Sequence, residues 1–154
     1  MTRAPAQKKC YRVRHSAIHG RGVFAATPIA KGMQIIEYRG ERTTWEIVCE
    51  RPASDPDDPA HTFIFELSDG RVIDAGVRGS VARWINHSCA PNCKSFEDDD
   101  GRVFIEARRA IVPGEELTYD YRLSLDGRIT RKIREEYACR CGTKRCRGSL
   151  LLET

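Results

Sequence analysis

The sequence predicts a single domain built mostly of short β-strands with minor helix. Strand-like runs rich in β-branched and aromatic residues recur along the chain, separated by turns that contain Gly, Pro or Asp. No helical pattern is long, and no motif repeats at the spacing of roughly 20–50 residues that marks repeat proteins. A length of 154 residues with 40% hydrophobic residues fits one domain with its own core.

The N-terminal half contains a basic start, three strands and one short helix. Residues 1–9 are polar and basic, which predicts a disordered lead-in. A helix is predicted over residues 43–51, because Thr43 or Thr44 can cap its first turn. Residues 52–59 are rich in Pro and Asp and predict a loop. The strands are predicted at residues 11–13, 23–25 and 34–38.

The C-terminal half is predicted to contain hairpins and two short helical segments. Turn residues at 68–70 and 97–101 each separate two strand-like runs, which is the pattern of a hairpin. Residues 81–85 predict a helical turn, and residues 131–137 predict a short helix. The strands are predicted at residues 61–67, 72–74, 92–96, 103–107 and 117–121.

The net charge of +4 is unevenly distributed along the chain. Residues 1–14 carry five bases and no acid, residues 15–127 carry 13 bases and 19 acids, and residues 128–154 carry eight bases and three acids. A net acidic middle is compatible with a cationic ligand, although solvated surface charge explains it equally well. The isoelectric point near 8.7 is too modest to indicate nucleic-acid binding by itself.

Targeting signals are not evident in the sequence. No apolar run approaches the roughly 18 residues that a membrane span needs, and no apolar segment follows the basic N-terminus as in a secretory signal. We therefore expect an intracellular protein with no membrane partner. Seven cysteines in a reducing compartment indicate thiolate chemistry or a metal before disulfides.

Three cysteines near the C-terminus have the spacing of metal ligands: Cys139-x-Cys141-x4-Cys146. Neighbouring Arg and Lys residues favour their thiolate forms. Three thiolates complete a tetrahedral zinc site only with a fourth ligand from elsewhere in the chain, and a reduced, metal-free tail is the alternative. The candidates for the fourth ligand are Cys10, Cys49, His87, Cys89 and Cys93.

Residues 83–93 (RWINHSCAPNC) contain several Asn, His, Ser and Cys residues close to Trp84 in the sequence. This run is too polar for a core strand. One interpretation is a Cys–His nucleophile pair, although the spacing of His87 and Cys89 does not supply an orienting partner. The other is a polar turn whose Asn and Ser side chains satisfy backbone groups. The residues alone do not separate these two interpretations.

Tyrosines and a glycine turn complete the candidate residues. On a strand, Tyr119 and Tyr121 share a face and could line a pocket for a cation; half-buried surface tyrosines are the alternative, and the same choice applies to Tyr38. The Gly20-Arg21-Gly22 turn is not a dinucleotide fingerprint, because no third glycine or long helix follows it. It could still let the backbone approach a small ligand closely.

In this order, the motifs resemble those of the SET-domain protein lysine methyltransferases with a post-SET zinc tail. The resemblance covers about residues 10–150. It rests on HGRGVFA at 19–25, IEYRGE at 36–41, RWINHSCAPN at 83–92, GEELTYDY at 114–121 and the cysteines of 139–148. It implies a β-clip fold of small sheets with a C-terminal pseudoknot, divided into a lead-in at 1–9, a SET domain at 10–125 and a zinc-binding tail at 126–154.

The resemblance also implies a role for each candidate. S-adenosylmethionine would contact Gly20, Arg21, Gly22, Arg83, Asn86 and His87. The lysine of a substrate would enter from the opposite side, towards the catalytic tyrosines Tyr121, Tyr38 and Tyr119. Zinc would be bound by Cys89, Cys139, Cys141 and Cys146, which leaves Cys10, Cys49 and Cys93 as bystanders.

Some features depart from the family pattern. Only Cys10 precedes the domain where a cysteine-rich segment is common, the segment 42–61 is short, and Trp84 replaces a usual Phe. The expected partner is a basic protein such as a histone or histone-like protein, mainly monomethylated, in the cytoplasm of a bacterium or the nucleus or chromatin of a eukaryotic or host cell. The alternatives are a catalytically silent SET domain that binds basic tails and a zinc-stabilised DNA-binding module, against which the acidic middle argues.

Overall fold

The computed structural model describes residues 9–52, 63–125 and 127–152, and in them the predicted mostly-β architecture is confirmed. The strands are β1 Tyr11–His15, β2 Arg21–Ala25, β3 Gln34–Tyr38, β4 Glu41–Thr43, β5 Ile64–Glu66, β6 Val72–Asp74, β7 Asn86–His87, β8 Cys93–Glu97, β9 Val103–Ala107 and β10 Thr118–Tyr119. The helices are α1 Trp45–Cys49 and α2 Arg131–Glu136, with a 3₁₀ turn at Val81–Trp84. Residues 1–8 of the lead-in predicted at 1–9, most of the loop at 52–59 and the first two residues of the 61–67 strand lie outside the described residues.

The strands form four small sheets. Antiparallel pairs build β1–β2, β3–β9–β8 and β4–β6–β5, and β7 pairs with β10 in parallel. In β9, Val103, Ile105 and Ala107 are buried while the intervening residues are less so, as the period of two for a strand requires. These three side chains belong to one hydrophobic cluster that also includes Val23, Ile73 and other residues of β2, β6 and the linking segments.

Local capping explains where the helices begin. The Thr44 side chain accepts a hydrogen bond from the Ile47 N–H at 3.4 Å, so Thr44 is the cap of α1 and Thr43 instead ends β4. The Thr130 side chain caps α2 in the same way. Among the described residues, no helix is long and apolar enough to cross a membrane.

Two strands were not predicted, and the strands predicted at 61–67 and 117–121 are shorter than expected among the described residues. β4 and β7 contain three and two residues, which is too short for an alternating pattern to be recognised. The strand predicted at 117–121 is reduced to Thr118–Tyr119, so Tyr121 lies beyond its end. The prediction that Tyr119 and Tyr121 share a strand face was therefore wrong in its geometry, although their ring centroids are 4.9 Å apart.

The parallel pair β7–β10 positions the site. Thr118 is opposite Asn86, and Tyr119 is opposite His87, so residues 32 positions apart in the chain lie side by side. The tail then returns to the domain through a bridge that joins Leu123 to Leu151, while a bridge between Ala138 and Ser149 closes a loop within the tail. This pairing is the contact that the expected C-terminal pseudoknot needs, and the threading itself stays a prediction.

Candidate active site and metal centre

A cavity of about 590 Å³ opens beside β7 and β10 and is partly walled by the C-terminal tail. Its volume is in the range of small-molecule sites. Six of the candidate residues line it together: Tyr38, Arg83, Asn86, His87, Tyr119 and Tyr121. Residues from β1–β2, β5 and the tail complete the wall, among them His19, Phe65 and Leu150.

The glycine turn lies next to this cavity and only partly in its wall. Ile18 and His19 line the cavity, while Gly20 and Arg21 line a neighbouring groove together with Trp84. Trp84 contacts two cations, since the guanidinium carbons of Arg21 and Arg83 are 5.4 and 4.9 Å from its ring centroid. The predicted cofactor contacts of the turn stay a prediction.

Asn86 holds the glycine turn in place. Its Nδ2 donates to the carbonyl oxygens of His19 and Arg21, both at 3.0 Å, and to Glu116 Oε1 at 2.9 Å. Glu116 Oε1 also accepts from the Ser16 hydroxyl at 2.7 Å. Glu116 therefore joins the turn between β1 and β2 and the strand β7 to the segment before β10. Glu116 was not among the site residues predicted from the sequence, although it lies within the motif at 114–121.

His87 is a buried, neutral imidazole. Burial lowers the pKa of His87 to about 4, Asp120 opposes this shift and Arg147 adds to it. Nδ1 accepts a hydrogen bond from the Tyr121 N–H at 3.0 Å, and Nε2 lies 3.4 Å from Cys89 Sγ. His87 thus connects the backbone of Tyr121 to the cysteine cluster.

Three tyrosines converge on the cavity, and two of their hydroxyls are already donors. The Tyr38 hydroxyl donates to the Phe63 carbonyl at 3.0 Å, and that of Tyr121 donates to the Ile85 carbonyl at 2.5 Å. Among the described residues, the Tyr119 hydroxyl forms no hydrogen bond, and its ring lines the cavity. The three rings therefore present two oxygen acceptors and one free hydroxyl.

The phenols are held in their neutral form. Burial raises the pKa of Tyr119 and raises those of Tyr38 and Tyr121 well above their usual range; the neighbouring phenols raise the last two further. The phenols therefore favour the protonated form near neutral pH. These residues can orient a bound amine through hydrogen bonds, and their rings form an aromatic part of the cavity wall.

Four thiols meet beside His87. The Sγ atoms of Cys89, Cys139, Cys141 and Cys146 all lie within 4.8 Å of one another. The distance between Cys89 Sγ and Cys139 Sγ is 3.7 Å. A tetrahedral zinc with Zn–S bonds of about 2.3 Å places its sulfurs about 3.8 Å apart. The donor set and its spacing therefore fit zinc.

Backbone N–H groups surround these sulfurs. The N–H groups of Cys141, Arg147 and Gly148 donate to the sulfurs of Cys139, Cys89 and Cys146 at 3.4–3.5 Å. Such donors favour the thiolate form that metal binding needs. The remaining cysteines Cys10, Cys49 and Cys93 lie outside the cluster, and burial raises the pKa of Cys93 to about 12.

Small sheets thus surround a cavity lined by three tyrosines, and a four-thiol cluster whose spacing fits zinc lies against its histidine. The SET domain family matches residues 20–122 of the chain. The chain belongs to this family, as its motifs predicted.

Several curated relatives are similar over most of this chain. It is 40% identical over 138 residues to "Histone-lysine N-methyltransferase trithorax" of Drosophila virilis, 42% over 136 residues to "Histone-lysine N-methyltransferase ash1" of Drosophila melanogaster, and 38% over 146 residues to "Histone-lysine N-methyltransferase 2B" of Homo sapiens. These matches cover 88%, 86% and 93% of this chain. The chain spans only 3%, 6% and 5% of those proteins.

Proposed function

We propose that this domain is an S-adenosylmethionine-dependent protein-lysine N-methyltransferase that acts on a basic protein such as a histone. The observation that carries the proposal is the convergence of Tyr38, Tyr119 and Tyr121 with the β7 strand in one cavity. The names of the SET-domain relatives support the same reaction, since all three are called histone-lysine N-methyltransferases.

The residues of the cavity fit the cofactor. Arg83 Nε is buried and has no hydrogen-bond partner among the described residues, and the Arg83 side chain lines the cavity. A buried, unpaired cationic donor is costly unless an anionic group joins it, and the carboxylate of S-adenosylmethionine is such a group. Asn86 would fix the Gly20–Gly22 turn against the cofactor. When bound, the cofactor supplies a methyl group on a positively charged sulfur.

The tyrosines would prepare the substrate lysine. A lysine ammonium has a pKa near 10.4 in water and becomes a nucleophile only after it loses a proton. A buried wall of neutral phenols disfavours the charged form, so the pKa of the amine falls as it enters. The hydroxyl oxygens of Tyr38 and Tyr121 keep free lone pairs, because their protons are donated to backbone carbonyls. They can therefore orient the N–H groups of the amine and accept weak C–H contacts from the transferred methyl.

Acidic side chains on the β5 side of the cavity favour a cationic peptide. Glu66 ends β5, lines the cavity and is exposed, and no ion pair of its carboxylate is formed among the described residues. Glu97 also lines the cavity and accepts hydrogen bonds from the Ser68 N–H and hydroxyl at 3.0 and 2.9 Å. These carboxylates would attract the Lys and Arg residues that flank the target lysine of a basic protein.

Zinc would have a structural role. We propose that Cys89, Cys139, Cys141 and Cys146 bind one zinc ion, because the set of four thiolates leaves no open position for substrate. The tail from Ala138 to Leu150 forms part of the cavity wall, and of the tail's described side chains only Leu151 is fully buried. A metal would therefore supply much of the free energy that orders this wall.

Tyr119 would limit the number of methyl groups. Its hydroxyl is available to hydrogen-bond the amine or to hold a water, and either would occupy the space that a second methyl needs. Each displaced hydrogen bond or water costs about 1 kcal/mol, roughly a fivefold slower transfer. We therefore expect mainly monomethyllysine, with slower dimethylation.

The proposal is tested by mass spectrometry of basic proteins and peptides incubated with the purified chain and S-adenosylmethionine. Methyllysine on a basic protein is the expected result, and the Tyr121→Phe variant is the matched control for contaminating activity. Binding of basic peptides without any methyl transfer would instead favour a silent binding module. Neither binding nor transfer across a broad panel would refute the proposal.

A further inference from the structure

We propose that Arg147 is a positioning residue that latches the metal-dependent tail onto the tyrosine-bearing segment and thereby completes the wall of the cofactor site. The inference deepens the proposed function and rests on it. The proposal rests on a pair of hydrogen bonds between Arg147 and Asp120. Arg147 directly follows a cysteine of the four-thiol cluster, and Asp120 lies between two of the cavity tyrosines in the sequence.

The contact is a two-pronged ion pair. Arg147 Nη1 lies 2.8 Å from Asp120 Oδ2, and Nη2 lies 2.9 Å from Oδ1. The two side chains are only 29% and 26% exposed. This fork geometry is the strongest form of an Arg–carboxylate contact, because two parallel bonds fix orientation as well as distance. The burial of Asp120 opposes its ionisation, but hydrogen bonds from Arg147 and the Arg122 N–H lower the pKa of Asp120, so the carboxylate stays charged.

Both ends of the latch are anchored. The Arg147 N–H donates to Cys89 Sγ at 3.5 Å, so metal binding fixes the backbone from which the guanidinium extends. On the other side, Asp120 Oδ1 accepts from the Arg122 N–H at 3.0 Å and lies 3.6 Å from His87 Nδ1. Arg122 has a φ of +52°, a conformation that a non-glycine residue rarely adopts without support. The latch thus holds the turn at which the chain leaves the cavity tyrosines.

The latch closes one side of the cavity and does not touch its reacting centre. Ala138, Arg140 and Leu150 of the tail line the cavity together with Asp120. Tyr121 is held by two contacts that do not include Arg147: its hydroxyl bond to the Ile85 carbonyl and the bond from its N–H to His87 Nδ1. Loss of the latch should therefore loosen the part of the cavity wall that the tail forms and weaken cofactor binding. Once the cofactor is bound, the tyrosines should keep their positions.

The test compares three variants of the full chain. Arg147→Met removes the guanidinium but keeps an apolar stem, and Arg147→Lys keeps the charge without the fork. Arg145→Met is the matched control, because Arg145 is exposed in the same loop and no ion pair of its side chain is formed among the described residues. The measurements are the zinc content per chain, the Kd of S-adenosylmethionine by calorimetry, and kcat and KM for an unmodified peptide that the unchanged chain methylates.

We expect Arg147→Met to retain its zinc, to bind S-adenosylmethionine about fivefold more weakly and to keep kcat within about twofold at saturating cofactor. The Kd of S-adenosylmethionine for Arg147→Lys should lie between those of Arg147→Met and the unchanged chain. The Kd for Arg145→Met should equal that of the unchanged chain. The Asp120→Asn variant should weaken binding by a similar factor, and combining it with Arg147→Met should add little, since one contact is lost in both.

Different results would overturn different statements. An unchanged Kd in Arg147→Met, with binding by the unchanged chain, would refute the latch alone. Loss of zinc from Arg147→Met would refute it as well, because Arg147 would then act through the metal site. A fall in kcat of Arg147→Met at constant Kd would show that Arg147 positions the tyrosines and does not complete the cofactor wall. No binding of S-adenosylmethionine by the unchanged chain would overturn the proposed function together with the latch.

Discussion

Replacement of Gly22 by alanine tests the close packing that fixes the glycine turn. A methyl group built at Gly22 would lie 2.2 Å from Glu116 Oε1 and 3.1 Å from the Ser16 Cβ. The backbone of Gly22 is outside the left-handed region, so the alanine itself would not be strained. The side chain that must move is Glu116, and its carboxylate oxygen is the shared acceptor for Ser16 and Asn86.

The cost follows from the hydrogen bonds that Glu116 would lose. Swinging its carboxylate away would break the bonds of 2.7 and 2.9 Å to Ser16 and Asn86. A hydrogen bond to a charged group contributes about 1.5–3 kcal/mol, and the lower value suits a partly exposed carboxylate. We therefore expect Gly22→Ala to lower the free energy of unfolding by about 3 kcal/mol, or Tm by roughly 6–12 °C for a domain of this size.

Urea denaturation followed by circular dichroism measures this change, and two controls make it specific. Gly20→Ala introduces a methyl with no atom within 4 Å, at a φ of +43°, and should cost only about 1 kcal/mol of backbone strain. In a Glu116→Ala background, the second substitution Gly22→Ala should be almost neutral, because the clashing carboxylate is gone. A loss below 1 kcal/mol for Gly22→Ala, or an equal loss in both backgrounds, would refute this reasoning.

Four further predictions concern metal and catalysis. Cys139→Ser should lose most of about one zinc per chain by elemental analysis, whereas Cys49→Ser, outside the cluster, should keep it; a fully loaded Cys139→Ser protein would exclude this metal site. Tyr121→Phe should lose the bond to the Ile85 carbonyl, about 1 kcal/mol of stability, and most of its turnover while still binding cofactor, and near-normal turnover would remove Tyr121 from the mechanism. Tyr119→Phe should shift products towards di- and trimethyllysine in mass spectra, with the first transfer little changed; no shift would mean that another group sets the product. Because only the neutral amine reacts, the rate at subsaturating peptide should rise between pH 7 and about 9, and a flat profile would show that another step is limiting.

The sequence was sufficient for the parts of the fold and site that are local in the chain. The Cys139-x-Cys141-x4-Cys146 spacing places three thiols within eight residues, so the sequence alone marks them as candidate ligands of one metal ion. Threonine caps, the hairpin turns and the alternating burial of β9 are likewise set by neighbouring residues. The motifs also indicated the SET-domain family, and the match over residues 20–122 confirms it.

Local pattern did not identify the fourth thiol of the metal cluster. Five side chains were equal candidates by chemistry, and only the resemblance favoured Cys89. The parallel pairing of β7 with β10 and the return of the tail place its sulfur 3.7 Å from that of Cys139, across 50 residues of sequence. Strands of two residues carry no readable periodicity, so this pairing could not be predicted from the pattern.

The sequence by itself determined which chemical groups are available: three tyrosines, an Asn–His pair and a set of thiols. The tertiary structure decided which of them meet and which other residues hold them there. Glu116 joins Ser16 across 100 residues, and Asp120 joins Arg147 across 27. Periodicity and capping act over a few residues along one segment, whereas these contacts depend on how separate segments pack. The partner of a carboxylate such as Glu116 or Asp120 can therefore be identified only from the folded structure.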